Sequence, residues 1–95
     1  MKHYIIVKFK QSFDYKRNIG DITDIFKRTL DIKGINTVSV KPSNSNRENR
    51  YDLMIEIGLD KSALPDYDKS APHRLWKEKY GEYIDSKAIF DCEDE

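Results

Sequence analysis

The sequence predicts a single α+β domain of order β-α-β-β-α-β, with helices on one face of a four-stranded antiparallel sheet. Three observations carry this. The 95 residues suffice for one domain. Four short segments are β-branched, aromatic or strictly alternating. Two longer segments repeat apolar residues at i, i+3, i+4 and i+7. Leu, Ile, Val and Phe total 23 residues. That is above the ~20% level under which disorder is the default, so the chain folds. The apolar fraction of 38% makes a small core and points to an oligomer.

His3 to Lys10 is the first strand, with His3, Ile5, Val7 and Phe9 on one face and Tyr4, Ile6, Lys8 and Lys10 on the other. Asn18 to Ile32 is a helix whose stripe is Ile19, Ile22, Ile25, Phe26, Thr29 and Leu30, with Asn18 or Asp14 as cap and Gly34 as stop. Ile35 to Lys41 is the second strand, with Val38 and Val40 on one face. Pro42 to Asn49 has no apolar residue and is a loop. Arg50 to Leu59 is the third strand: Tyr51, Leu53, Ile55, Ile57 and Leu59 share a face. Asp60 to Tyr67 is a short helical segment capped by Asp60 and limited by Pro65. Ser70 caps a helix over Ala71 to Tyr83, with Leu75, Trp76, Tyr80, Tyr83 and Ile84 inward. Lys87 to Glu93 is the last strand, with Ala88, Phe90 and Cys92 on one face, before an acidic tail over 93–95. This is the ferredoxin-like order. Tyr4, Ile6 and Met54 leave apolar surface on the face away from the helices. A face-to-face homodimer would bury it; a monomer with a half-wet face is the alternative.

Net charge is zero, but residues 1–50 carry +6 and residues 51–95 carry −6. With a pI of 6.7, the balance argues against nucleic acid as partner. The single cysteine, Cys92, rules out an internal disulfide and a thiolate metal cluster. Two histidines without a matching carboxylate spacing do not make a zinc site, and no glycine-rich phosphate cradle is present. No cofactor is expected. No apolar run nears 18 residues, so the chain is expected to be cytoplasmic, with no membrane partner.

The chemistry-bearing residues are the two histidines. His3 faces the helices from the first strand, and His73 sits in the first turn of the last helix, where the helix dipole favours a neutral, proton-accepting imidazole. Tyr67, six residues earlier, is placed to orient an imidazole or a substrate carbonyl. The alternative is that both histidines bond to backbone and close off a core.

The segments KHYIIVKFK, YDLMIEIGL, LPDYDKSAPHRLW and IFDCE, in that order and spacing, resemble the stress-responsive A/B barrel family, or Dabb domains, over essentially the whole chain. The resemblance implies a homodimeric α/β barrel. Plant polyketide cyclases of that family close an aromatic ring without a cofactor, using a His base, a nearby Tyr and a first-strand His. Carried over, these positions are His73, Tyr67 and His3, with Ile5, Val7 and Phe26 as wall residues of a site for a small aromatic or keto ligand. The family often reads His-Pro-x-His before the last helix. Here Ser70 stands at the first His and the proline is shifted by one, to Pro72. The His pair also recurs in members without an established activity. Three functions follow as expectations: a homodimeric small-molecule-pocket protein of undetermined activity, a cofactor-free cyclase- or lyase-like enzyme, and a structural stress protein forming larger assemblies.

Overall fold

The computed structural model describes residues 1–94. Its strands are β1 (Lys2–Phe9), β2 (Ile35–Pro42), β3 (Leu53–Leu59) and β4 (Ile84–Cys92), and its helices are α1 (Ile19–Lys27), α2 (Leu64–Asp68) and α3 (Ala71–Tyr80). The sheet order is β2-β3-β1-β4 and every pairing is antiparallel. The expected ferredoxin-like order is therefore present.

Period-two alternation decides the core. On β1, His3, Ile5, Val7 and Phe9 are buried against the helices. On β3 the same face holds Leu53, Ile55, Ile57 and Leu59. Val38 and Val40 lie opposite Ile57 and Ile55, so they join that face from β2. Ile22, Ile25 and Phe26 of α1 and Trp76 and Tyr80 of α3 close the layer.

Several element bounds and caps differ from expectation. The first helix ends at Lys27 and continues as a 3-10 turn over Arg28–Asp31. A 3-10 turn repeats every three residues, so Thr29 and Ile32 stay with Phe26 on the core while Leu30 turns outward, 44% exposed. Neither Asn18 nor Asp14 caps by its side chain. The chain enters α1 from another 3-10 turn (Tyr15–Asn18), and the Asn18 amide donates to the Asp14 carbonyl. Asp60 likewise acts through its backbone carbonyl, which accepts from Ala63 N–H at 2.8 Å. Ser70 caps α3 as expected, accepting from His73 N–H.

The third strand begins at Leu53 rather than Arg50, and Tyr51 is outside it and exposed. The Lys8 ammonium explains this, because it donates to the carbonyls of Glu48 and Arg50 and draws the loop toward β1. Asp52 finishes the edge, its carboxylate accepting from Phe9 N–H. The last strand starts three residues early because Phe9 still pairs with Ile84. Tyr83 is exposed rather than inward and stacks on Phe13 at 4.3 Å.

Two ties hold the element that carries His73. Asp21 of α1 accepts from the Tyr80 hydroxyl at 2.5 Å and pairs with Lys79 at 2.7 Å. These bonds hold the Asp21 carboxyl below the usual carboxylate range, Lys79 first and Tyr80 second. In the turn between the 3-10 segment and β2, Gly34 sits at φ +94° with Ala63 2.9 Å from where a Cβ would lie.

The two glycine sites predict opposite outcomes. Gly34→Ala destabilises by about 1–2 kcal/mol, since an L side chain is strained at this φ. Gly20→Ala, where a Cβ meets nothing within 4 Å, stabilises the helix by about 0.5 kcal/mol. Urea denaturation reads both, and equal effects would refute the backbone argument. The depressed carboxyl of Asp21 adds stability that is present above the ordinary Asp pKa and lost as pH falls through its lower folded value. Asp21→Asn therefore flattens the acid limb of a stability profile taken from pH 5 down to pH 2.

Candidate functional site

β4 is an edge strand, and the helices leave its inner face open. The residues on that face, Lys87, Ile89 and Asp91, pair across from Val7, Ile5 and His3 of β1, and Ile89 is 50% exposed. The opening is a groove of about 340 Å³. Its sheet wall is His3, Ile5, Lys87, Ile89 and Asp91, and its helical wall is Leu64, Asp68, His73, Trp76 and Lys77.

Both imidazoles are fixed by a partner. His3, 6% exposed, lies directly opposite Asp91 in the β1–β4 register, and its Nδ1 donates to Asp91 Oδ1 at 2.5 Å. His73 Nδ1 lies 2.9 Å from the Asp68 carbonyl. A carbonyl only accepts, so Nδ1 carries a proton, and in the neutral imidazole Nε2 is left as the acceptor. The Ser70 cap sets the backbone of His73, and the end of α2 supplies the carbonyl.

Tyr67 joins the two imidazoles. Its ring centroid is 5.5 Å from that of His3 and 4.8 Å from that of His73. It stands behind the groove rather than in its lining. Its hydroxyl is buried without a hydrogen-bond partner among the described residues. Burial pushes its ionisation well above the ordinary tyrosine range, so the phenol is neutral and able to donate.

The structure thus gathers His3, Tyr67, His73 and Ile5 at one place. Val7 and Phe26 are elsewhere: both are essentially fully buried, and neither lines the groove. Val7 is packed under the helices, and Phe26 packs edge-on against Trp76 at 5.1 Å. Sequence reasoning missed Asp91, Lys87 and Ile89. The signal was present, because assigning Ala88, Phe90 and Cys92 to one face leaves these three on the other. What was missing was the register that sets Asp91 against His3. Among the described residues no group of three or more His, Cys, Asp or Glu side chains could hold a metal ion, and no helix is long and apolar enough to cross a membrane.

No protein-family model and no curated protein matches the sequence. Solved structures do match the fold. A dimeric protein of unknown function with a ferredoxin-like fold from Bacteroides fragilis superposes with a TM-score of 0.79 at 15% identity, over 98% of this chain and 94% of its own. A Dabb family protein with a ferredoxin-like fold from Mesorhizobium loti gives 0.74 at 16% identity, over 98% and 94%. A hydroxynitrile lyase from Passiflora edulis gives 0.73 at 9% identity, over 94% and 87%. The chain has the Dabb-type, ferredoxin-like fold, and that fold carries proteins of more than one activity.

The bonding pattern predicts two substitutions of opposite sign. Asp91→Ala strips His3 of its hydrogen-bond acceptor and costs about 1.5 kcal/mol. Tyr67→Phe removes a hydroxyl whose burial is uncompensated and leaves stability unchanged or raised by about 1 kcal/mol. Denaturant midpoints check both; a marked loss for Tyr67→Phe would mean that the hydroxyl is bonded in solution.

Proposed function

We propose that this protein is a homodimer that binds a small aromatic or keto compound in the groove between β4 and the α2–α3 pair, with His73 as proton acceptor. The observation that carries the reading is the arrangement of the two imidazoles. Each is anchored through Nδ1, one on a carboxylate and one on a backbone carbonyl, and both line one groove with an apolar wall of Ile5, Leu64, Trp76 and Ile89. Ligand sites combine apolar walls with a few oriented polar groups in this way.

The orientation of His73 also favours the enzymatic reading over a passive pocket. With Nδ1 held, Nε2 is free to take a proton alpha to a carbonyl, and no cofactor is needed for that step. The neutral phenol of Tyr67 is suited to donate to an oxygen that gains charge. Its burial behind the imidazoles means that it acts on a ligand only if the ring moves into the groove; otherwise it positions His3 and His73. The hydroxynitrile lyase among the structural neighbours supports an enzyme on this fold without indicating the substrate.

For the dimer, the support is the outer sheet face together with the dimeric neighbour. Tyr4 packs against Phe90 at 6.2 Å, Ile6 lies beside Ala88 and Met54, and Phe90 is 59% exposed. The rest of the face is polar, with Thr37 and Ser39 on β2 and Glu56 between Lys2 and Lys41 at 3.8 and 3.7 Å. An apolar half beside a paired polar half suits an isologous contact with a second copy.

A thermal-shift screen of phenols and β-keto compounds tests the site. A ligand at 100 times its dissociation constant adds about 2.7 kcal/mol, and that gain is expected to disappear in His73→Ala. A panel that stabilises both proteins equally would remove His73 from the site. Sedimentation tests the assembly: twice the 11.2 kDa chain mass is expected for wild type and the single mass for Phe90→Lys. A species well above the dimer would instead favour a structural assembly.

A further inference from the structure

The groove has two chemically distinct ends. α3 runs away from His73 to Tyr80, and β4 returns from Ile84 toward Asp91, so helix and strand run in opposite senses along the groove. One end is therefore the imidazole end, His3 with Asp91 and His73. Toward the other, the walls carry Lys77, one turn beyond His73 on the same face of α3, and Lys87, which shares the inner face of β4 with Ile89. Neither lysine enters an ion pair among the described residues. Of the two carboxylates that line the groove, Asp91 is engaged by His3. Asp68 lies beside His73, in an adjoining depression that also holds Lys69, Arg74, Glu78 and Lys77 itself, so Lys77 borders both hollows. Between the ends the wall is apolar, and Ile89 is half exposed with no protein atom to cover it.

We infer that the ligand is an organic carboxylate: its anionic group lies between Lys77 and Lys87, its apolar middle covers Ile89 and Trp76, and its carbonyl or hydroxyl end faces the imidazoles. This rests on reading the groove as a small-molecule site and narrows the substrate class. Two lysines without an ion-pair partner among the described residues, one on each wall, favour an anion over its neutral isostere, because a neutral ligand would desolvate both charges without compensation. The apolar middle sets the spacing between the carboxylate and the reacting end.

The test compares 4-acetylbenzoate with 4-acetylbenzamide, which differ in the charged group alone. The readout is the indole N–H of Trp76, the single tryptophan, in proton–nitrogen correlation spectra. The carboxylate is expected to shift this resonance saturably and to bind at least tenfold more tightly than the amide. The double variant Lys77→Met, Lys87→Met, whose fold the same spectra verify, is expected to bind the two alike. Equal binding by the wild type would overturn the carboxylate inference and leave the groove standing as a site. No shift at Trp76 with either compound would overturn both. A preference that survives in the double variant would remove the two lysines from recognition.

Discussion

The register of β4 against β1 is the constraint on which the site depends. His3 faces Asp91 because Ile5 faces Ile89 and Val7 faces Lys87. A slip of one residue would exchange the two faces of β4. Asp91 and Lys87 would go to the outer surface, Phe90 would enter the groove, and the His3 ring would lose its acceptor. The interior alone pins β1 and β3, whose inner faces are fully buried. β4 has little such burial, so the short His3–Asp91 bond is the polar term that specifies its alignment.

The same edge position accounts for the groove. α1 packs over β2 and against α3, with buried core residues beneath them. Trp76 closes that core on its flank, touching Phe26 and Phe9 by ring edges. Beyond Trp76 no further α-helix follows among the described residues, and the inner side of β4 is left open at Ile89. A site at the boundary between packed core and uncovered edge has a rigid apolar back and a polar, accessible front, which suits the holding of a small ligand. Tyr67 belongs to the back: its hydroxyl is the one described buried side-chain polar atom left without a partner.

The two exposures of β4 call for different covers. Phe90 is open on the outer face beside Tyr4, and Ile89 is open in the groove. A second copy laid on the outer face reaches the first and leaves the second free. The proposed dimer contact and the proposed ligand site thus fall on opposite sides of one sheet through the alternation of one strand, so neither would obstruct the other.

Much of this was legible from the residues. The alternation of β1 and β3, the stripe of α1, the Ser70 cap and Gly34 determined the elements and their order, because period, capping and left-handed backbone are local properties. The same local reading placed His3 toward the helices and His73 in a first turn. It failed where three-dimensional partners decide: Leu30 turned outward when the helix tightened to a 3-10 turn, Tyr51 left the strand because Lys8 gripped the neighbouring carbonyls, and Val7 and Phe26 went to the solid core instead of the site. Asp91, Lys77 and Lys87 came to line the groove through the pairing of β4 with β1 and the opposed run of α3. Those are contacts between segments far apart in the chain. Composition and periodicity say which face a residue takes, but only tertiary packing says what stands across from it.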